Sequence, residues 1–352
     1  MLYYDRVNSE LREYFLILCD NDYPLFIEKY LYTKPLRRIG KVGQFCGCDY
    51  SKLYNIKYFY SRLDHSVACS LMAWHFTKDK TKTLMALFHD LGTPVFSHTI
   101  DYLLGDTKNQ ESSEMNVFDI ISSSKEICDL LVEDNITIDE LKKAYKCSII
   151  ENERPKICVD RLDGVLQTAL TWLCIWENKD VRYIYKNLDV LINENSEEEI
   201  GFTNLEAANY FFDACYKYSM VLQSNEDKYI MQFICDCIKI LINDKIIKIS
   251  DLYEKEENEI VGLLKKHIVC FNDFQNASSI ERSDKKPNSY YVSCDVKRRY
   301  VIPLCNHNGK NSRLNDISSS CSSMIDFYLE FNDTKYSYLN CIKEIKSKVG
   351  NE

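Results

Sequence analysis

The sequence predicts a mainly α-helical fold with a small α+β appendage near its C-terminal end. Three observations predict it. The 352 residues include only 10 glycines and 6 prolines, too few for a turn-dense all-β protein. Apolar residues recur at helical spacing from Met1 to about His267. After about Asn272 the pattern changes to polar stretches broken by short alternating runs of Tyr and Val. Residues 1–270 are therefore expected to form a helical domain, with the chemistry-bearing motifs within about 34–170, and residues 271–352 a segment with short strands.

The elements follow in order. Arg62 to Phe76 places His65, Cys69, Met72 and Phe76 on one helix face. Asp79 is an N-cap for a helix running through Leu84, Leu87 and Phe88 and stopping at Gly92-Thr93-Pro94, with Gly92 as the C-terminal glycine. Thr137-Ile138-Asp139-Glu140 is a capping box. Pro155 opens a segment through Asp160, Leu166, Leu170 and Leu173, and longer helices are expected at about 204–223 and 228–243, with a shorter one near 254–267. Residues 276–289 read as a loop, and 289–304 as strand–turn–strand with Val292, Val296, Tyr300 and Ile302. Phe327 to Phe331 reads as another short strand before a helical end.

Composition narrows the function. The chain is 45% hydrophobic and 28% charged, the balance of a soluble globular protein. The 44 basic against 53 acidic residues give a net charge of −9, which weighs against a broad nucleic-acid-binding surface but leaves room for a local basic site. No apolar run reaches the ~18–20 residues that span a bilayer, and the first residues lack a basic stretch followed by an apolar one, so neither a membrane span nor a secretory signal is expected. The 16 cysteines form no Cys-x-x-Cys pair, and the Cys46/Cys48 and Cys235/Cys237 pairs are isolated. They read as reduced, mostly buried thiols, which implies a reducing compartment and a cytoplasmic protein.

The candidate chemistry lies in an ordered set: His65, then His89-Asp90, then Asp160. Each taken alone has an ordinary structural explanation. Taken together, two imidazoles and two carboxylates on separate helical segments can surround one divalent cation and leave coordination positions open. Asp160 follows the apolar run Ile157-Cys158-Val159, where a carboxylate is costly without a partner. A cation there would activate water and polarise a phosphoryl group.

These residues carry a family resemblance. Arg62-Leu63-Asp64-His65, then His89-Asp90-Leu91-Gly92-Thr93-Pro94-Val95-Phe96-Ser97-His98-Thr99-Ile100-Asp101, then Val159-Asp160-Arg161-Leu162-Asp163 resemble the HD superfamily of metal-dependent phosphohydrolases, and within it the deoxynucleoside triphosphate triphosphohydrolases. Leu36 to Gln44 resembles the segment before the first helix there. The resemblance covers roughly residues 34–270. It implies an HD-domain helical bundle, a homo-oligomer, and hydrolysis of a nucleotide or similar small phosphate ester with one divalent metal ion (Mn, Fe, Mg, Co, Ni or Zn). It implies His65, His89, Asp90 and Asp160 as metal ligands, Arg62 and Arg161 as phosphate contacts, Gln44 as a sugar contact, and His98 and Asp101 as pocket residues.

Departures from the family pattern matter equally. Thr93 stands where a catalytic histidine often follows the glycine, and Gln110-Glu111 stands where a His-Glu pair is usual, leaving Glu111 or His98 for proton transfer. Gly164 and Thr168 occupy positions of a tyrosine and an aspartate near the triphosphate and sugar. A catalytically weak nucleotide-binding regulator is the alternative expectation, and a nuclease a lesser one. Arg161 has an alternative partner in Asp163 or Glu153, His75 reads as structural, and Lys297-Arg298-Arg299 reads as a solvated strand edge.

Overall fold

The helix Arg62–Thr77 is apolar on nearly every side, and a helix of that kind has to be surrounded. In the computed structural model, which describes residues 1–108 and 116–348, Val67, Ala68, Cys69 and Met72 are fully buried. Burial of each larger side chain contributes roughly 1.5–3 kcal/mol. The helix packs against Ser9–Cys19, Lys80–Phe88 and Val159–Thr171. Its start is set by a capping box in which Ser61 Oγ accepts the Asp64 N–H at 3.0 Å and Asp64 Oδ2 accepts the Ser61 N–H at 2.8 Å.

The next helix begins where expected, with the Asp79 carboxylate accepting the Lys82 N–H at 3.0 Å. It ends earlier than expected, at Phe88, and Gly92 is not among the left-handed residues. The stop comes instead from His89, whose Nδ1–H donates to the Ala86 carbonyl at 2.7 Å, followed by tight turns from Phe88 to Leu91 and Asp90 to Thr93. The segment then passes through Phe96 and Ser97, both left-handed at φ 58° and 49°, before the short helix Thr99–Leu103. The Thr137 capping box opens Ile138–Tyr145 as predicted. The helix carrying Asp160 is Val159–Thr171, so it starts four residues after Pro155. Leu205–Leu222 and Asn225–Asn243 are the two long helices, and Glu257–His267 the shorter one.

A β-hairpin, Leu188–Ile192 with Glu198–Phe202, interrupts the helical part. Its second strand reads as polar because Glu199 points inward, fully buried, and takes a bidentate pair from Arg313 at 2.7 and 2.6 Å. That strand pairs in parallel with Leu304–His307, which pairs antiparallel with Lys310–Arg313. The sheet thus ties residues 188–202 to the C-terminal segment. A second sheet has the order Glu281–Ser283, Tyr336–Tyr338, Tyr291–Val292. One strand falls inside the expected 276–289 loop, and the last described element is the strand Tyr336–Tyr338, with no helix among the described residues after it. Phe327 to Glu330 is helical, within Ser319–Glu330, because Cys321, Ile325 and Tyr328 bury one face at helical spacing. The protein is thus mainly α, with an α+β C-terminal part. Among the described residues no helix is long and apolar enough to cross a membrane, and all 16 cysteines are free.

Candidate metal centre and cavity

His65 enters the site from the first turn of its helix, fully buried. Its Nδ1–H donates to Asp163 Oδ2 at 2.6 Å. His89 is fixed the same way, since the Ala86 carbonyl can only accept. With both Nδ1 atoms used as donors, the two Nε2 atoms face each other at 3.2 Å. At that distance either one of them carries a proton or both turn their lone pairs to a shared cation. Asp160 Oδ1 lies 3.0 Å from His65 Nε2, Asp90 Oδ2 lies 3.8 Å from it, and Asp90 Oδ1 lies 3.8 Å from His89 Nε2. Two imidazole nitrogens and two carboxylates, from three chain segments, therefore converge. The nitrogen and oxygen donors suit a first-row divalent ion, and the Asp160 side chain, 38% exposed, opens the cluster to the cavity.

Electrostatics agree with this geometry. Burial pushes Asp90 up, but Arg62, His89 and His65 outweigh it and hold the carboxyl far below its usual range. Asp160 is likewise held low against burial by His65, His89 and Arg161. Burial pulls His65 down, while Cys69, Asp160 and Asp163 raise it well above a normal imidazole, so the cluster favours positive charge at its centre.

Among the described residues, two groupings of ligand-type atoms lie close enough to hold an ion: His65, Cys69 and His89, and Glu151, Cys158 and Asp160. In the first, Cys69 Sγ sits 3.8 Å from both ring nitrogens of His65, off the line on which the Nε2 lone pair projects, and burial holds its thiol proton tightly. Asp160 Oδ1, at 3.0 Å, is nearer His65 Nε2 than Cys69 is, and Asp90, at 3.8 Å, is equally near. In the second, the Arg161 guanidinium already neutralises Glu151 at 3.5 Å.

His89, Asp90 and Asp160 of the cluster line a cavity of about 580 Å³. Gln44, Arg62, Arg161 and His98 are on its wall. Arg62 Nη1 donates to Asp90 at 2.8 Å and its Nε to Ser97 Oγ at 3.0 Å, so the left-handed turn at Phe96-Ser97 serves to hold this arginine. Gln44 Oε1 is buried without a hydrogen-bond partner. Arg161 folds back onto its own loop, donating to Asn152 and, at 2.8 Å, to the Lys156 carbonyl; its acidic partner is Glu151, not Asp163 or Glu153. His98 Nδ1 bonds Asp101 Oδ2 at 3.1 Å. Burial, then Arg299, lowers His98 to about 4, so it is neutral at physiological pH. Asp101 is fully buried and absent from the wall, holding His98 rather than meeting a ligand. Glu111, like Gln110, lies outside the described residues. Thr93 donates to Asp90 Oδ1 at 3.3 Å and Thr168 accepts from Gln167 at 2.9 Å; both are buried off the wall, whereas Gly164 lines it and leaves open space where a side chain would stand. His75 packs against Tyr185 at 4.8 Å, as a structural residue does.

The cavity also has a wall that local pattern did not reveal. Arg154, Lys297 and Arg299 line it, with Trp172, Tyr218 and Tyr300. The run 297–299 is thus not a solvated strand edge. Arg298 instead donates to the Tyr328 and Phe331 carbonyls at 2.6 and 2.7 Å, closing the C-terminal end of Ser319–Glu330 and turning its two neighbours toward the cavity. Three successive cations in an acidic chain were the available signal. Asp227, also on the wall, is raised to about 7 by burial. Behind the site, Glu257 Oε2 accepts the N–H groups of Phe96 at 2.8 Å and Gly43 at 3.3 Å, joining the two loops that carry Ser97 and Gln44.

No protein-family model matches the chain. It is 24% identical over 242 residues to the uncharacterized protein YdhJ of Bacillus subtilis strain 168, covering 68% of this chain and 70% of that protein. Among solved structures it is similar to a hypothetical protein from Aquifex aeolicus, with a TM-score of 0.57 at 15% identity, covering 89% of this chain and 91% of the other. What the last likeness establishes is a shared fold over nearly the whole chain.

Proposed function

We propose that the protein is a divalent-metal-dependent phosphohydrolase of the HD type, acting on a nucleotide or similar small phosphate ester or anhydride. The observation that carries this reading is the convergence of His65, His89, Asp90 and Asp160 beside a cavity whose lining includes Arg154, Lys297 and Arg299. A bound divalent ion would supply Lewis acidity toward a phosphoryl oxygen and an attacking water.

The chain's own residues do the rest. Arg62 is held against Asp90 and Ser97, so its charge is fixed beside the reacting phosphate. Arg154, Lys297 and Arg299, which line the same cavity, attract the anionic part of the substrate. Gln44 offers a buried carbonyl oxygen to a hydroxyl or N–H donor. Trp172, Tyr218 and Tyr300 provide apolar surface for a ring. His98, neutral and oriented by Asp101, is placed to accept a proton.

The test is a release panel. Nucleoside mono-, di- and triphosphates and simple phosphate monoesters are incubated with Mn, Fe, Co and Mg, and the products identified as phosphate, pyrophosphate or triphosphate. Metal-dependent release, abolished in Asp90→Ala, is the expected result. Binding without release would support the second reading, a nucleotide-binding regulator. That reading is favoured by one observation: Thr93 is buried against Asp90 and presents no proton donor to the cavity.

A further inference from the structure

We propose that Asp163 is a positioning residue that makes His65 competent as a metal ligand, by holding the imidazole proton on Nδ1 so that the Nε2 lone pair points into the cluster. The inference rests on the metal-site reading above and adds a residue to it.

The geometry is as follows. Asp163 is fully buried on Val159–Thr171, one helical turn beyond Asp160 and on the same face. The two carboxylates thereby reach opposite nitrogens of one ring, Asp160 at Nε2 (3.0 Å) and Asp163 at Nδ1 (2.6 Å). Asp163 Oδ1 accepts the hydroxyl of Tyr14 at 2.5 Å, and Tyr60 donates to both its oxygens at 3.1 and 3.2 Å. Both tyrosines are fully buried. Their role decides what kind of residue is needed at 163. A phenol needs only an acceptor, and an asparagine carbonyl would serve Tyr14 and Tyr60 as well as a carboxylate does. The contact with His65 is the one that an amide cannot reproduce, because it requires a second acceptor on the arm facing Nδ1.

This arrangement makes Asp163→Asn an informative variant. The two phenols keep the amide oxygen on the Oδ1 side, and the NH2 group then faces His65. A donor there forces Nδ1 to accept, and the ring proton moves to Nε2, where it blocks the lone pair that faces His89 and the cation. Shape and the tyrosine hydrogen bonds are preserved, so a loss of metal affinity does not reduce to a loss of fold. Orienting partners of this kind typically change metal affinity by about 10- to 100-fold.

The experiment uses the full chain and Zn(II), which is diamagnetic. Calorimetric titration compares wild type, Asp163→Asn and His65→Ala. Nitrogen-15 spectra of histidine-labelled, Zn(II)-loaded wild type report which His65 nitrogen carries the proton, with His65→Gln providing the assignment. The expected result is tight Zn(II) binding by wild type, about 10- to 100-fold weaker binding by Asp163→Asn at an unchanged thermal midpoint, and a wild-type His65 protonated at Nδ1. Equal affinity in wild type and Asp163→Asn, or a wild-type His65 coordinated through Nδ1, overturns the proposal while leaving the metal site standing. Failure of wild type to bind Zn(II) overturns the metal reading and this proposal with it. The wild-type spectrum decides the matter even if the Asn variant does not fold.

Discussion

Two groups of buried carboxyls in this molecule behave in opposite ways. In the first, Asp90 and Asp160 meet His65, His89 and two arginines, and both are held far below the usual carboxyl range. In the second, behind and across from the first, Asp227 is raised to about 7, Asp49 to about 6 and Glu257 to about 8, each chiefly by burial. Neither oxygen of Asp49 nor Glu257 Oε1 has a partner in good hydrogen-bond geometry, and the Tyr50 hydroxyl is a donor close to Glu257. Glu257 Oε1 and Asp49 Oδ2 lie 2.9 and 3.0 Å from where a Cβ on Gly43 would stand, so a larger residue there would have to displace both carboxyls. Burial is common to both groups; in the first the surrounding positive charge outweighs it, whereas Arg299 and Lys228 do not outweigh it at Asp227. The difference marks where the fold invites a cation and where it raises a carboxyl's affinity for its proton.

The largest expected effect breaks the first group. His65→Ala or Asp90→Ala removes bound metal and hydrolysis together, with activity falling to background in an assay at saturating Mn. Full activity in a metal-free variant would contradict the contrast. Next comes the cationic wall. Arg299→Ala or Lys297→Ala removes charge-assisted contacts of roughly 1.5–3 kcal/mol, so KM for an anionic substrate rises by roughly 10- to 100-fold while kcat changes little. Steady-state kinetics check this.

The second group is tested through stability. Glu257→Ala leaves the Phe96 and Gly43 N–H groups buried without an acceptor and is expected to cost about 2 kcal/mol, read as a lower thermal midpoint at pH 6. Glu257→Gln keeps a carbonyl acceptor and is expected to restore most of it. The smallest effect is in pH dependence. A carboxyl raised on folding contributes stability in full below its unfolded value, and that contribution is lost as pH rises through the folded value. For Asp49, Asp227 and Glu257 the window runs from about pH 4 to 8. Asp90 and Asp160 act in the opposite sense, contributing above about pH 4 and losing that contribution on acidification. Stability of the metal-free protein is therefore expected to decline from mildly acidic toward alkaline pH. Asp227→Asn should flatten that decline by at most about 1.4 kcal/mol per pH unit below pH 7. Chemical denaturation across pH reads both slopes.

How far the sequence revealed this depends on the range of the interactions involved. The helices around His65 and His89 were legible because apolar spacing and caps are local: Asp79 and Thr137 act on N–H groups within three residues, whereas the Ser61 cap went unread. The four ligand-type residues were legible as an order along the chain. Asp163 was placed with Arg161, its near neighbour, whereas it is spent on His65 and two tyrosines from distant segments. Lys297 and Arg299 were read as solvent-facing because nothing local shows Arg298 anchoring that segment to the end of a later helix. The hairpin at 188–202 was hidden by Glu199, a strand-interior charge explained only by Arg313. The misread 327–331 segment is aromatic enough for a strand, and only the buried face beginning at Cys321 makes it a helix.

The most direct test of the central claim is a crystal of the full chain soaked in Mn(II) and measured at an anomalous wavelength. The expected result is a single strong peak bounded by His65 Nε2, His89 Nε2 and the carboxylates of Asp90 and Asp160. A map with no peak there, or with manganese held by Glu151 and Cys158 instead, would contradict it.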